Sequence, residues 1–421
     1  MNKNLYLLWA ADSTSVFGSA IYTLTLTLLA INYSESALAA GSVLFVSTFP
    51  YLFLGVLGGV IVDRVDRKKL MLICDIARSA LVLSVPLYQL VFNHLPIVYI
   101  MIVGFLVTCF RAFFFPANQA SVPILIKDKD ELTKVNSYIN STNNLSVVLG
   151  PSLGGAALIF TDNVPVLLYV TSATFLISAI CIFFINFPES VAANHQEENQ
   201  NKSTILQDAY SGIKYIFRGD IFVTIMIIAF TVQLIIGDGI VQLVFPNLIE
   251  SLNFDKEQYF GYLLSTIALS ASICSLIMGK LNIQNPDRWI FSGYFLRGGC
   301  YLLLMISLSY GWYLVIFSGI LLGLSFAISG PTLTTILQAR TPDDLMGKVM
   351  AVRSTIGNIT DSVSYVFIGG LISLTGLGST LSISAGLTLV ATLGLLLWWN
   401  YKNKQTQNQH SVENLKQTIE S

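Results

Sequence analysis

Twelve long apolar runs decide what this chain can fold into. A bilayer core of about 30 Å is crossed by about 20 apolar residues in a helix. Runs of that kind lie near 5–31, 37–62, 70–92, 96–116, 142–161, 165–187, 221–249, 259–281, 289–309, 311–331, 349–373 and 378–400. They are too long for barrel strands and do not alternate, so only helices satisfy their backbone in lipid. The sequence predicts an all-α polytopic membrane protein. Composition agrees: 54% of the 421 residues are hydrophobic and 11% are charged, against about 25% charged in a soluble domain.

The net charge of −1 says nothing about nucleic acid, because the charges sit in short loops rather than in a patch, and no nucleic-acid partner is expected. Cys74, Cys109, Cys181, Cys274 and Cys300 all fall inside apolar runs and read as small core residues. The first apolar stretch is too long for a signal-peptide core, and no A-x-A site follows it.

Lysine and arginine orient the spans. With the N-terminus inside, eighteen of the 23 fall in cytoplasmic segments, Lys256 falls outside, and Arg78, Arg111, Arg297 and Arg353 lie within spans. Both termini are therefore expected in the cytoplasm of a bacterium, with the chain in its plasma membrane. Loops rich in Lys, Asn and Ile point to an AT-rich bacterial genome.

A polar stretch over 188–220 divides the chain into an N-terminal six-helix half, 1–187, and a C-terminal one, 221–400, followed by a cytoplasmic tail, 401–421. The first part of 188–220 is rich in Asn, Gln and Glu and reads as a linker. Its second part places Ile205, Leu206, Ala209, Ile213, Ile216 and Phe217 on one face, which predicts a short amphipathic helix at the inner surface. The halves echo each other. "FFFPANQASVPILIKDKDELTKVNSY" follows span 4 and "ISGPTLTTILQARTPDDLMGKVMA" follows span 10, each with a proline at the expected helix end. Gly154-Gly155 and Gly369-Gly370 keep the same offset of about 214 residues. A parallel two-half repeat is the layout of a rocking transporter with its substrate site between the halves.

Between spans 2 and 3 stands "GGVIVDRVDRKK". The pattern G-x-x-x-D-R-x-D-R-K-K, from Gly59 to Lys69, resembles the loop 2–3 signature of the major facilitator superfamily, with Asp66 in place of a second glycine. Together with "FPY" in span 2 and "FFFPANQASVP" after span 4, it is similar to the drug:proton antiporter group that contains bacterial macrolide efflux proteins. The resemblance implies twelve transmembrane helices in two pseudo-symmetric halves and transport by alternating access. It also implies a conformational latch in which Asp63 faces the N-terminus of span 11, where the helix dipole favours an anion and Arg353 adds to it. Arg64, Arg67, Lys68 and Lys69 hold the loop inside, and that topological role alone is the other reading of these four residues.

Charges at membrane depth are expensive unless paired or wet, so each is a functional candidate. Asp75 and Arg78 are three apart on one helix face. They can pair with each other and with the Asp63–Arg67 turn, a mainly structural role. Asp12 lies about two turns into span 1, and Arg111 in span 4 lies at a similar depth. The resemblance puts these spans side by side and implies that Arg111 takes part in proton coupling. A proton-exchanging pair and a static ion pair are both open. Asp238, between Gly237 and Gly239 in span 7, and Asp361 in span 11 are further proton or cation candidates, and a bend is expected at the glycines. His94, His195 and His410 all lie in loops or the tail, so carboxylates must carry any proton.

Span 5 contains "GPSLGG". Pro151 removes a backbone donor, and Gly150, Gly154 and Gly155 allow close packing. This resembles the antiporter motif of drug exporters, which implies a seal on the cytoplasmic side. A generic packing face is the other reading. The chain has no phosphate-binding loop ending in Lys-Ser/Thr and no His/Cys metal cluster. The expectation is therefore a secondary active exporter, not an enzyme, monomeric and without cofactor. Its expected substrate is a small amphiphile such as an antibiotic, its energy source the proton gradient. Export of a self-made metabolite such as a siderophore, or transport of a lysolipid, are the alternatives.

Overall fold

A computed structural model of the chain describes residues 3–51, 53–54, 65–125, 129–158, 160, 164–187, 205–278 and 286–420. The described residues form helices joined by short turns. In the first half these are α1 (Lys3–Asn32), α2 (Ala37–Thr48), α3 (Arg67–Phe92), α4 (Ile97–Leu125), α5 (Lys129–Ala157) and α6 (Val166–Phe183). The predicted amphipathic segment is α7 (Ile205–Arg218). The second half comprises α8 (Ile221–Ser251), α9 (Lys256–Met278), α10 (Pro286–Tyr310), α11 (Trp312–Arg340), α12 (Asp343–Thr375) and α13 (Leu377–Glu420).

Capping residues set several starts. Ser36 accepts from Ala39 N on α2, Asp66 from Lys69 N on α3, and Asp220 from Phe222 N on α8. Inside α8, residues Ile240–Val244 form a π-helical turn, directly after the Gly237-Asp238-Gly239 segment where a bend was expected.

The helices differ from the expected spans in three ways. First, nine of them are long and apolar enough among the described residues to cross a membrane; α2, α5 and α12 do not reach that standard. The described part of α2 is short. α5 and α12 have 29 and 33 residues, but both open on polar sequence and pack against the other half, where less lipid-facing surface is needed. Second, α4 and α11 do not end at Pro116 and Pro331. They run on to Leu125 and Arg340, because neighbouring helices and side-chain hydroxyls compensate a proline inside a membrane helix. Third, the tail continues α13 as one helix of 44 residues.

The same neighbours recur in both halves. α2 packs on α4 as α9 packs on α11, α3 on α4 and α6 as α10 on α11 and α13, and α1 on α5 as α8 on α12. The halves meet through α5 with α9 and α2 with α12. One apolar core joins the halves and holds Leu24, Leu44, Phe175, Leu243, Phe260 and Ile368. Two others belong to one half each, around Leu5, Met71 and Phe114 and around Phe222, Leu337 and Trp399. Those separate cores lie towards the end that carries both termini. Lipid-facing positions are apolar and exposed, among them Ile73, Leu90, Leu276 and Val390.

Candidate functional site

The halves enclose a cavity of about 80 Å³ beside α1, α2 and α4. Its walls mix rings, hydroxyls and two cations: Tyr22 and Thr23 of α1, Tyr51, Arg78 of α3 and Arg111 of α4. Gln242 of α8 and Tyr365 of α12 complete it from the second half. Such a lining can hold an apolar body and orient a polar group on it.

Arg78 forms the floor. Its guanidinium is buried and ion-paired with Asp75 one turn earlier, as their spacing predicted. Its Nη2 also donates to Ser15 Oγ at 2.9 Å, and Ser178 Oγ donates to Asp75 Oδ2 at 2.6 Å. The rings of Phe114 and Phe175 each lie 4.4 Å from the guanidinium carbon. The pair therefore ties α1, α3, α4 and α6 together, where its expected further partner was the loop before α3. A buried pair with its hydrogen bonds completed in this way fixes helix register more than it adds stability.

Asp12 does not pair with Arg111. It is 4% exposed, and its Oδ1 accepts from Asn118 of α4. Asn143 of α5 lies beside it, and Asp12 Oδ2 is buried without a hydrogen-bond partner. Asn118 stands seven residues beyond Arg111, about 10 Å further along the helix at 1.5 Å per residue. α4 continues past Pro116 to Leu125, so Asn118 rather than Arg111 reaches the depth of Asp12. Arg111 faces the cavity instead. Asn118 and Asn143 were missed; asparagine close to apolar runs was the available signal.

Asp238 and Asp361 come together. They lie on α8 and α12, and their side chains are within hydrogen-bonding reach of each other. Arg297 of α10 is nearby and 3% exposed, with Nε donating to Ser325 Oγ at 3.2 Å and Nη2 to Ser329 Oγ at 3.4 Å.

Of the expected latch, Gly59, Asp63 and Arg64 lie outside the described residues. Asp66 caps α3, Arg67 Nη1 donates to Ala120 O at 3.1 Å, and Lys68 Nζ donates to Ile185 O at 2.6 Å. These bonds bind the start of α3 to its own half. Arg353 stacks on Phe230 of α8 at 5.0 Å, also within its own half.

The span 5 motif has two contact sides. A Cβ on Gly150 would lie 2.6 Å from Ala20 Cβ, and one on Gly154 would lie 2.9 Å from Leu24 Cδ2, so this side packs on α1. Gly155 packs on Gly261 of α9, and Ser152 Oγ donates to Ser265 Oγ at 2.5 Å, so the other side joins the halves. The motif sits in the last turns of α5. The contact therefore falls towards the end opposite the termini, not the end the resemblance implied.

Further bonds between the halves lie towards that same end. Asn32 Nδ2 donates to Glu257 Oε1 at 2.9 Å, Thr27 Oγ1 to Gln242 Oε1 at 2.8 Å, and Leu38 N to Ser373 Oγ at 3.1 Å. Thr48 and Ser362 hydroxyls meet at 2.7 Å. At the end carrying the termini, bonds such as Asn4 Nδ2 to Asn186 O and Trp399 Nε1 to Asp287 Oδ2 stay within a half. The bundle is closed at the end away from the termini.

A two-half helical bundle around a mixed polar and aromatic cavity is the architecture of a membrane transporter rather than an enzyme. The model of the Major Facilitator Superfamily matches residues 8–364 and 231–418, and the chain belongs to that family. It is 32% identical to macrolide efflux protein A of Streptococcus pyogenes over 158 residues, 37% of this chain and 38% of that protein. It is 21% identical to the multidrug efflux pump Tap of Mycolicibacterium fortuitum over 412 residues, 93% of this chain and 95% of that protein. It is 25% identical to the enterobactin exporter EntS of Escherichia coli O81 (strain ED1a) over 357 residues, 82% of this chain and 80% of that protein. Among solved structures, that of the nucleoside transporter NupG superposes with a TM-score of 0.73 at 12% identity, over 95% of this chain and 99% of that one. That likeness speaks to the fold.

Proposed function

We propose that this transporter exports amphiphilic small molecules from a bacterial cell by exchange for protons, with both termini in the cytoplasm. Asp12 carries the proton-coupled part of this reading. It is a buried carboxylate that accepts from the amide of Asn118, leaves its second oxygen without a partner, and has no cation paired with it among the described residues. Such a group can take up and lose a proton without breaking an ion pair. The export part rests on the efflux relatives, and the amphiphilic part on a lining of tyrosines, small hydroxyls and Arg111. Substrate enters while the bundle is closed at its outer end, and proton exchange accompanies the switch to the opposite conformation.

The test is accumulation of a lipophilic cationic dye and a labelled macrolide in a bacterium lacking its own exporters. Wild-type cells are expected to exclude at least one compound, and a protonophore abolishes exclusion. Asp12→Asn reaches the membrane and fails to exclude. No exclusion across a broad amphiphile panel overturns the drug reading. The similarity to the enterobactin exporter EntS favours a self-made metabolite such as a siderophore as the second reading, and exclusion of enterobactin with no drug exclusion supports it.

A further inference from the structure

Asp238 and Asp361 are two acids brought within reach of each other where α8 packs on α12. An ionised carboxylate only accepts hydrogen bonds. A hydrogen bond between two carboxyl groups therefore requires a proton held between their oxygens, and two like charges this close cannot both ionise in a poorly hydrated interior.

The contact is built by the backbone. Gly239 N donates to Ser364 Oγ at 2.7 Å. A Cβ on Gly239 would lie 2.6 Å from both Ser364 O and Ile368 Cβ, so only glycine permits this approach. The π-helical turn begins at the next residue, Ile240, and widened turns of this kind occur often at functional sites. On α12, residues Asp361, Ser364, Tyr365 and Ile368 recur at the spacing of one helix face. Holding Gly239 against that face sets Asp238 beside Asp361.

The surroundings leave the pair its proton. Arg297 is committed to Ser325 and Ser329 and stacks on Phe326 at 4.4 Å. Tyr301 of α10 is fully buried, and its hydroxyl has no hydrogen-bond partner. That hydroxyl would lie 3.5 Å from a Cβ on Gly237, the residue before Asp238. Tyr365 is close to both aspartates and also lines the cavity. The titratable and charged groups around the pair are thus Arg297, Cys300 and Tyr301 from α10 and Tyr365 from α12. Tyr22 of α1 and Tyr51, three residues beyond α2, belong to the adjoining cavity.

We infer that Asp238 and Asp361 are one proton-binding site in the second half, which holds a single shared proton while α8 and α12 are packed as here and releases it when they separate. On release the O–H bond of the shared proton breaks, the proton passes to water in the cavity, and two carboxylates remain. The Tyr301 hydroxyl then donates to Asp238 in place of the lost bond. The use of this proton in transport rests on the proton-exchange reading above; its presence does not.

Infrared spectroscopy of the purified full chain in liposomes reads the site directly, as a pH-difference spectrum in the carboxylic C=O region. The wild type is expected to show a protonated-carboxyl band from the pair, beside any band that Asp12 contributes. Asp238→Asn and Asp361→Asn each remove that same band, and the double variant removes nothing more. Asp12→Asn leaves it in place. Where an Asn variant does not fold, Asp238→Glu and Asp361→Glu serve: both shift the same band if the proton is shared. A band that responds to only one of the two positions overturns the proposal. So does a wild type without the band, and carboxylate bands that then respond to sodium would make the pair a cation site instead. Loss of drug exclusion with the band intact defeats the export reading alone.

Discussion

Gly155 on α5 and Gly261 on α9 meet without a side chain between them. A Cβ on Gly155 would lie 3.0 Å from Gly261 Cα, and one on Gly261 would lie 2.7 Å from both Gly155 Cα and Pro151 O. Each glycine is needed because the other half's backbone occupies the space. The contact makes the closed end of the bundle a backbone-to-backbone seam.

Gly261→Val is expected to open that seam. Overpacking of this kind costs about 1–3 kcal/mol, and separating the halves relieves it. Spin labels at the exposed positions Glu35 and Asp255, at that end of the two halves, should show a longer distance in the variant than in the parent. An unchanged distance with normal stability would show that the helices absorb the methyls locally.

The Asp75–Arg78 pair should be costly to break and cheap to replace. Arg78→Met leaves Asp75 buried and uncompensated, a loss of about 3–5 kcal/mol. Thermal unfolding in detergent should show a large drop for Arg78→Met. The double variant Asp75→Leu/Arg78→Met should recover most of it. Equal drops in single and double variants would mean that Ser15, Ser178 and the two phenylalanines matter more than the ion pair.

Asn118→Ala should destabilise by removing a buried donor to Asp12, by about 1–3 kcal/mol. Asp12→Asn should fold nearly as well as the parent, because an amide fits the same space and can bond to Asn118. The two variants then separate a structural from a coupling role. Comparison of unfolding temperature with protonophore-sensitive exclusion decides it, and parallel losses in both would assign Asp12 to structure alone.

Arg340→Ala should have a small effect on stability. Its ion pair with Asp220 at 3.3 Å is partly exposed, and such pairs contribute about 0.2–1 kcal/mol. The guanidinium also covers Phe222 at 4.3 Å. Added salt should therefore leave most of the loss in place, as measured by unfolding at low and high ionic strength.

Much of the fold was legible because lipid imposes one length and one backbone solution on every crossing. The helix positions, the amphipathic α7 and the Asp75–Arg78 pair followed from spacing along a single helix. The misreadings concerned helix ends and depth. Proline was taken as a stop at Pro116 and Pro331, and that single error moved α4 by two turns against Asp12. The polar stretches that open α5 and α12 were read as loops, although those helices face the other half rather than lipid. The cytoplasmic seal expected of Gly150–Gly155 lies instead at the far end of α5, where its partner glycine on α9 awaits it.

The sequence by itself determined that the chain is a helical membrane bundle and which residues are chemically costly there. Hydropathy and charge act along one chain and are blind to rotation. Only the tertiary structure decided which costly residues meet: Asp12 with Asn118, Asp238 with Asp361, Gly155 with Gly261. Each meeting depends on the turn and depth of one helix against another. A hydrogen bond or a glycine seam survives only a small error in either, and nothing in a run of apolar residues encodes that setting.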